Sequence, residues 1–219
     1  MSEVWDKKDY VDRYNDIYAP GEKELMAAAD LLELNADDDL VDFGCGKGDF
    51  IASTLRLVRS VVGVDSSPHQ IDEARRRFKN EPHVEILESA FLDFNPKGRA
   101  FTKGFSRKAL HHLTDEEKKE FFARIGPGFA KGALFLVEDA IFNFPRAELD
   151  ARWDRLMSDA ADFYGGEWER KKEDVIRTFK DEFATGEPEW LEALEAGGFK
   201  KLRLERRASF YGLLLAQKK

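Results

Sequence analysis

The chain of 219 residues holds one cysteine, Cys45, four histidines and seven prolines. A lone cysteine excludes an intramolecular disulfide and any cysteine-rich metal site, and it fits a reducing compartment. No stretch approaches the roughly 18 consecutive apolar residues of a membrane span. The opening "MSEVWDKKDYVDRYNDIY" carries charge where a secretory leader would carry an apolar core. Positive charge is also short: 35 Lys and Arg stand against 43 Asp and Glu, a formal net charge of −8. That balance disfavours a broad phosphate-binding surface, so nucleic acid is not an expected partner. Repeats, low-complexity tracts and linkers rich in Gly and Ser are missing too. The expectation is a cytoplasmic protein of one domain (1–219), monomer or homodimer, without a membrane partner.

What the chain does have is material for a core, with 42% hydrophobic residues and 18 Phe. Short β-rich runs alternate with longer helical ones. The strand candidates are "DLVDF" (39–43), "VVGVD" (61–65), "HVEIL" (83–87), "FTKGFS" (101–106) and "ALFLVE" (133–138). Between them, segments 50–58, 67–78 and 115–125 space their apolar residues at three and four, as amphipathic helices require. Ser67 before Pro68 marks one helix start. Thr114 with Glu117 marks another as a capping box. This alternation predicts an α/β fold with a parallel sheet covered by helices on both faces. Residues 146–182 read as helix, 187–199 as a helix closed by Gly197 and Gly198, and 200–207 and 209–217 as two final strands. The N-terminal segment 3–18 spaces Trp5, Tyr10, Val11, Tyr14 and Tyr18 along one helical side.

The densest stretch is "LVDFGCGKGDF" (40–50), where Gly44, Gly46 and Gly48 alternate just after Asp42. Glycine in a regular element costs roughly 0.5–1 kcal/mol relative to alanine, so three together need a cause. A strand ending in an acid, then a glycine turn, then a helix, is the mouth of a nucleotide site beyond the strand ends. Asp65, at the end of the next strand and 21 residues beyond Gly44, suits the hydroxyls of a ribose. The dinucleotide pattern G-x-G-x-x-G fails at Asp49, and a phosphate loop fails because Gly48 follows Lys47. An acid at position 42 repels a pyrophosphate but suits a ligand with positive charge.

"VDFGCGKG", "VVGVDSSPHQIDEAR", "ALHHL" and "GALFLVED" together resemble the successive motifs of class I methyltransferases dependent on S-adenosylmethionine, over about residues 38–140. The resemblance implies a Rossmann-like sheet of seven strands, mostly parallel with an antiparallel last strand. It implies that S-adenosylmethionine is the cofactor, S-adenosylhomocysteine its product, and that no metal is needed. It places Gly44 and Gly46, with Cys45 between them, along the methionine part, Asp42 near its ammonium, and Asp65 and Ser66 at the ribose. Ser89, Ala90 and Phe91 would line the adenine, and the segment from Ser106 onward would close over the methionine end. Two positions depart from the family pattern. Ser89 stands where an aspartate is common, and Lys103 and Gly104 stand in the fourth strand where buried aliphatics are expected. The second departure points to a shifted strand or a loosened edge.

His111 and His112 follow the fourth strand and are the candidates for a general base. The competing reading is that one histidine braces the loop and the other is solvated. Glu138 and Asp139 are candidate acceptor contacts; as metal ligands they lack third and fourth partners at nearby spacing. Cap elements are expected at 1–35 and 141–186, around a cofactor core at 36–140 and a C-terminal helix and strand pair at 187–219. Tyr14, Tyr18, Phe142 and Tyr164, with Glu138, are the candidate walls for a small-molecule acceptor; equally, such aromatics simply fasten helices to the core. Methyl transfer to that acceptor is the expected activity. The alternatives are a non-catalytic or other-group-transfer binder of the same nucleoside, and an NAD-dependent oxidoreductase, which the acid at 42 and the missing glycine at 49 disfavour.

Overall fold

A computed structural model describes residues 7–96 and 98–219. Helices α1 (Lys8–Tyr18) and α2 (Glu22–Leu31) lead into the alternating core. There β1 (Asp39–Phe43), α3 (Asp49–Thr54), β2 (Ser60–Asp65), α4 (Pro68–Arg77) and β3 (Val84–Glu88) form one half. The other half is β4 (Phe101–Arg107), α5 (Asp115–Ile125) and β5 (Phe129–Phe142). Next come α6 (Leu149–Tyr164), α7 (Trp168–Lys180), the two-residue β6 (Thr185–Gly186) and α8 (Glu187–Ala196). The chain ends in the hairpin of β7 (Phe199–Ala208) and β8 (Tyr211–Lys218). Trp5, at the head of the N-terminal aromatic pattern, lies outside the described residues.

The sheet runs β3-β2-β1-β4-β5-β8-β7, with β6 beside the end of β5. Strands β1 to β5 pair in parallel, and β8 is antiparallel to both neighbours. Strand order reverses between β1 and β4, and that switch point opens the crevice where ligands bind in such sheets. This is the Rossmann-like arrangement anticipated above, with seven long strands and one short addition.

One face of the sheet packs Phe43, Phe121, Phe122, Phe135, Trp190 and Phe199 into an aromatic core. The other buries Leu40, Ile51, Val61, Ile71, Phe105 and Leu136. A third cluster joins Phe142, Phe144, Leu156, Val175, Phe179 and Phe210, fastening α6 and α7 to the end of β5. The expected helix 146–182 is broken at Gly165 and Gly166, where Gly165 takes φ +51°. The Thr114–Glu117 capping box forms as read: Thr114 Oγ1 accepts from Glu117 N, and Glu117 accepts in return from Thr114 N.

The fourth strand's two odd residues have a tertiary cause. Lys103 Nζ donates to Leu32 O at 2.6 Å and stands 3.9 Å from Asp38, so its ammonium closes the C-terminal end of α2 from inside the sheet. Gly104 leaves room for its neighbours: a Cβ there would come within 2.4 Å of the Phe135 ring. The pairing of β4 with β5 does slip between Phe101 and Lys103, while β4 itself is central rather than an edge. Among the described residues no helix is long and apolar enough to cross a membrane.

Candidate functional site

The turn after β1 is left-handed at each of its glycines: Gly44 at φ +74°, Gly46 at +53° and Gly48 at +83°. L-residues with side chains rarely adopt this region. Two of these glycines are required by the chain itself. A Cβ on Gly44 would lie 2.3 Å from Ala109 Cβ, and one on Gly48 would lie 2.4 Å from the Phe78 ring. Gly46 is different, facing only the Gln70 amide at 3.5 Å. The turn is stitched to β2 by Gly44 N and Cys45 N, which both donate to Val64 O.

Asp65 completes the stitching. Its carboxylate accepts from Gly46 N and Ser67 N, each at 2.9 Å. Burial raises its pKa, and the amides of Ser67, Gly46 and Ser66 oppose that rise. The carboxylate thus shapes the glycine turn as well as facing the crevice.

Asp42 is the anomaly. It is 2% exposed, and among the described residues no hydrogen-bond donor reaches its carboxylate. Burial, then the charges of Asp65 and Asp49, push its pKa up to about 8. A buried carboxylate without a donor is expensive. A cation delivered into the crevice would relieve it.

The crevice is a cavity lined by Asp42, Gly44, Cys45, Gly46, Asp65, Ser66 and Phe91, with Phe105, Lys108 and Ala109 across from them. Tyr14, Asn15 and Tyr18 of α1 roof it. Asn15 and Gln70 exchange side-chain hydrogen bonds, so α1 is tied to α4 beside Gly46. Of the residues named for the nucleoside, Ser89, Ala90 and Ser106 do not line this cavity. Ser89 Oγ donates instead to Ala90 O, and Ser106 is wholly buried within β4. Cys45 is buried, its thiol pKa raised first by burial and then by Asp65 and Asp42.

A second cavity adjoins the first and shares Tyr14, Tyr18, Lys108 and His112 with it. Its further walls include His111, Asp139, Tyr164, Asp174, Glu182 and Tyr211. Helix α1 spans both cavities, because Tyr18 donates its hydroxyl to Asp174 of α7 and Arg13 pairs with the same carboxylate. Of the residues named for an acceptor, Tyr14, Tyr18 and Tyr164 therefore stand on this wall. Phe142 does not: it is fully buried, stacked on Phe144 and set edge-on to Phe179. Glu138 lies below the wall, bound by the Tyr211 hydroxyl and 3.3 Å from Arg107 Nε.

The two histidines are not equivalent. His111 Nδ1 is 2.6 Å from Asp139 Oδ1, and its Nε2 is 3.4 Å from Glu182 Oε2. Burial opposes its charge, but Asp139 and then Glu182 outweigh that and raise its pKa to about 9. Burial, followed by the charge of His111, lowers His112 to about 4. At neutral pH His111 therefore holds its proton and His112 is neutral.

Sequence reasoning missed Lys108 and Glu182. Lys108 directly follows β4 and takes φ +50°, a strained value for a lysine. Its Nζ stands over the rings of Tyr18 at 5.0 Å and Tyr211 at 5.7 Å. Burial, then Arg107, lowers its pKa to about 7. Its place directly before "ALHHL" was the available signal. Glu182, far from the histidines in sequence, gave none.

A reversed parallel sheet with a left-handed glycine turn and two strand-end acids defines a nucleoside-binding α/β enzyme. Residues 40–128 match the profile of a methyltransferase domain. An uncharacterized methyltransferase of Geobacillus sp. (strain WCH70) is 28% identical over 176 residues, 78% of this chain and 79% of that protein. A cyclopropane synthase of Mycobacterium tuberculosis superposes with TM-score 0.67 at 14% identity, over 90% of this chain and 83% of that one. A mycolic acid cyclopropane synthase in complex with S-adenosylhomocysteine superposes with TM-score 0.63 at 19% identity, over 84% of this chain and 62% of that one. Residues 40–128 are thus similar to a methyltransferase domain, and the chain shares its fold with S-adenosylmethionine-dependent enzymes of low sequence identity.

Proposed function

We propose that the protein transfers a methyl group from S-adenosylmethionine, held in the first cavity, to a small-molecule acceptor held in the second. The observation that carries this reading is the shared wall: Tyr14, Tyr18, Lys108 and His112 line both cavities, so two ligands meet across them. S-adenosylmethionine, when bound, supplies an electrophilic methyl group open to in-line displacement. The residues present fit it. Asp42, buried and without a donor, would receive the ammonium, and Gly46 leaves the turn open beside it. Asp65 keeps acceptor capacity for the ribose hydroxyls beyond the bonds it takes from backbone amides. Phe91 supplies an apolar wall.

The chain's own work is then positioning and exclusion of water, which supply roughly 7–11 kcal/mol in well-aligned reactions. Helix α1, tied to α4 through Asn15 and to α7 through Tyr18, keeps solvent from both cavities. If the acceptor must lose a proton, His111 is already protonated between two carboxylates, and His112 is the neutral imidazole on the shared wall, its basicity lowered by burial and by His111. The second cavity is small, enclosed by tyrosines, and suits a small molecule rather than a chain.

The test is calorimetric titration with S-adenosylhomocysteine, with NADH as control, on wild type and Asp65→Ala. Saturable binding of the adenosyl ligand that weakens at least tenfold in the variant is expected. Unchanged affinity in a folded variant, or binding of NADH alone, would overturn the placement.

A further inference from the structure

We infer that His111, His112 and Glu182 form a binding site for one divalent transition-metal ion, of the zinc type, on the wall of the second cavity. One ligand atom from each lies within 4.8 Å of the others. His111 Nε2 is 3.4 Å from Glu182 Oε2, and His112 Nδ1 is 3.7 Å from Glu182 Oε1. Both separations exceed the roughly 2.7–3.2 Å of an N–H···O hydrogen bond. They match two ligand atoms that share one ion, since bonds of about 2.0–2.2 Å at tetrahedral angles hold their ends about 3.3 Å apart.

The surroundings are those of a ligating imidazole. His111 Nδ1 faces Asp139 Oδ1 at 2.6 Å, and Asp139 is fixed in turn by Ala140 N and by His111 N. A carboxylate on the far ring nitrogen fixes the tautomer and leaves Nε2 as the ligand, the usual arrangement around a metal-bound histidine. Glu182 is oriented by Thr178 Oγ1 at 2.9 Å. The segment behind it is pinned by Phe183 N donating to His111 O and by Lys118 Nζ donating to Phe183 O. Two carboxylates, Asp139 and Glu182, face the one imidazole of His111 and make the spot attractive to positive charge.

Two imidazoles and one carboxylate are the donor set of catalytic zinc sites that keep a position open. All three residues line the second cavity, so the open position faces it. An ion there would hold an acceptor's oxygen, nitrogen or sulfur lone pair and favour its deprotonated form. The acceptor class this selects is a small molecule with an ionisable hydroxyl, amine or thiol. The spacing reasoning that found no third ligand near Asp139 looked along the chain, whereas the fold brings Glu182 in from the segment after α7.

The site itself does not depend on the methyl-transfer reading, and the experiment separates the two. Tag-free protein, stripped with chelator, is titrated with Co²⁺ and followed by visible absorption, then back-titrated with Zn²⁺. One saturable Co²⁺ per chain, displaced by Zn²⁺, is expected, with affinity at least tenfold weaker in Glu182→Gln and in His112→Ala. Asp139→Asn, which keeps shape but removes charge behind His111, should weaken it by about 10–100-fold. X-ray absorption on Zn²⁺-loaded wild type keeps the proposal testable if a variant fails to fold; it should show imidazole ligation. Stoichiometry well below one, affinities unchanged in folded variants, or a zinc shell without imidazole would each overturn the site. Parallel S-adenosylhomocysteine titration reads the first cavity: metal lost with nucleoside retained sinks the metal site alone, and the reverse sinks the nucleoside placement alone.

Discussion

Asp42→Asn should stabilise the ligand-free protein and weaken its cofactor binding at once. The Asp42 carboxyl is 2% exposed and keeps its proton in the folded chain up to about pH 8, against an ordinary value of 3.8. A folded-state pKa above the unfolded one means that the native state holds a proton which the unfolded chain has released. The stability this group contributes is therefore full below about pH 4 and is lost as pH rises toward about pH 8. Over the roughly three units between 3.8 and pH 7, at about 1.4 kcal/mol each, the loss reaches an upper bound of about 4 kcal/mol. Asparagine has the same shape and does not titrate, so it escapes the loss. Even about 1 kcal/mol recovered raises Tm by about 2–4 °C in a chain of this size. Calorimetric unfolding across pH 4 to 8 (about three points suffice) should show the variant's advantage growing with pH from near zero. S-adenosylhomocysteine binding should weaken in the same variant, because the ammonium loses its counter-charge. A variant no more stable than wild type at neutral pH, or an advantage independent of pH, would refute the reasoning.

Gly44→Ala should destabilise by about 3 kcal/mol, combining a left-handed φ with overpacking, since its Cβ would meet Ala109 Cβ at 2.3 Å; urea unfolding measures it. Lys103→Met should cost about 1–3 kcal/mol by stripping the Leu32 carbonyl of its donor, and an equal midpoint in urea would show that the buried ammonium is dispensable.

The lining of the first cavity is legible in the sequence because its determinants are local. Asp42, the glycine turn and Asp65 sit on consecutive strand ends, and parallel pairing of β1 with β2 sets them side by side. Their spacing along the chain is their spacing in space. Lys103 was unreadable for the opposite reason: its partner is the end of α2, a contact between residues 71 apart in sequence. Phe142 misled because β5 runs on to residue 142 instead of ending near 138. The strand carries that ring into the core beneath α6 and α7, while the tyrosines of α1 and α6 reach the cavity.

The walls of the second cavity are written in contacts that no spacing rule reaches. His111, in the turn after β4, meets Asp139 of the neighbouring β5 and meets Glu182 only after α5, β5, α6 and α7 have intervened. The two cavities nevertheless carry one physical signature. Asp42 is a buried acid without a donor, and Lys108 a buried amine in strained backbone. Each lowers the stability of the ligand-free fold, and natural sequences remove such conflicts unless a ligand resolves them. Both lie on the walls of the paired cavities, so the fold gives up stability where a ligand can restore it.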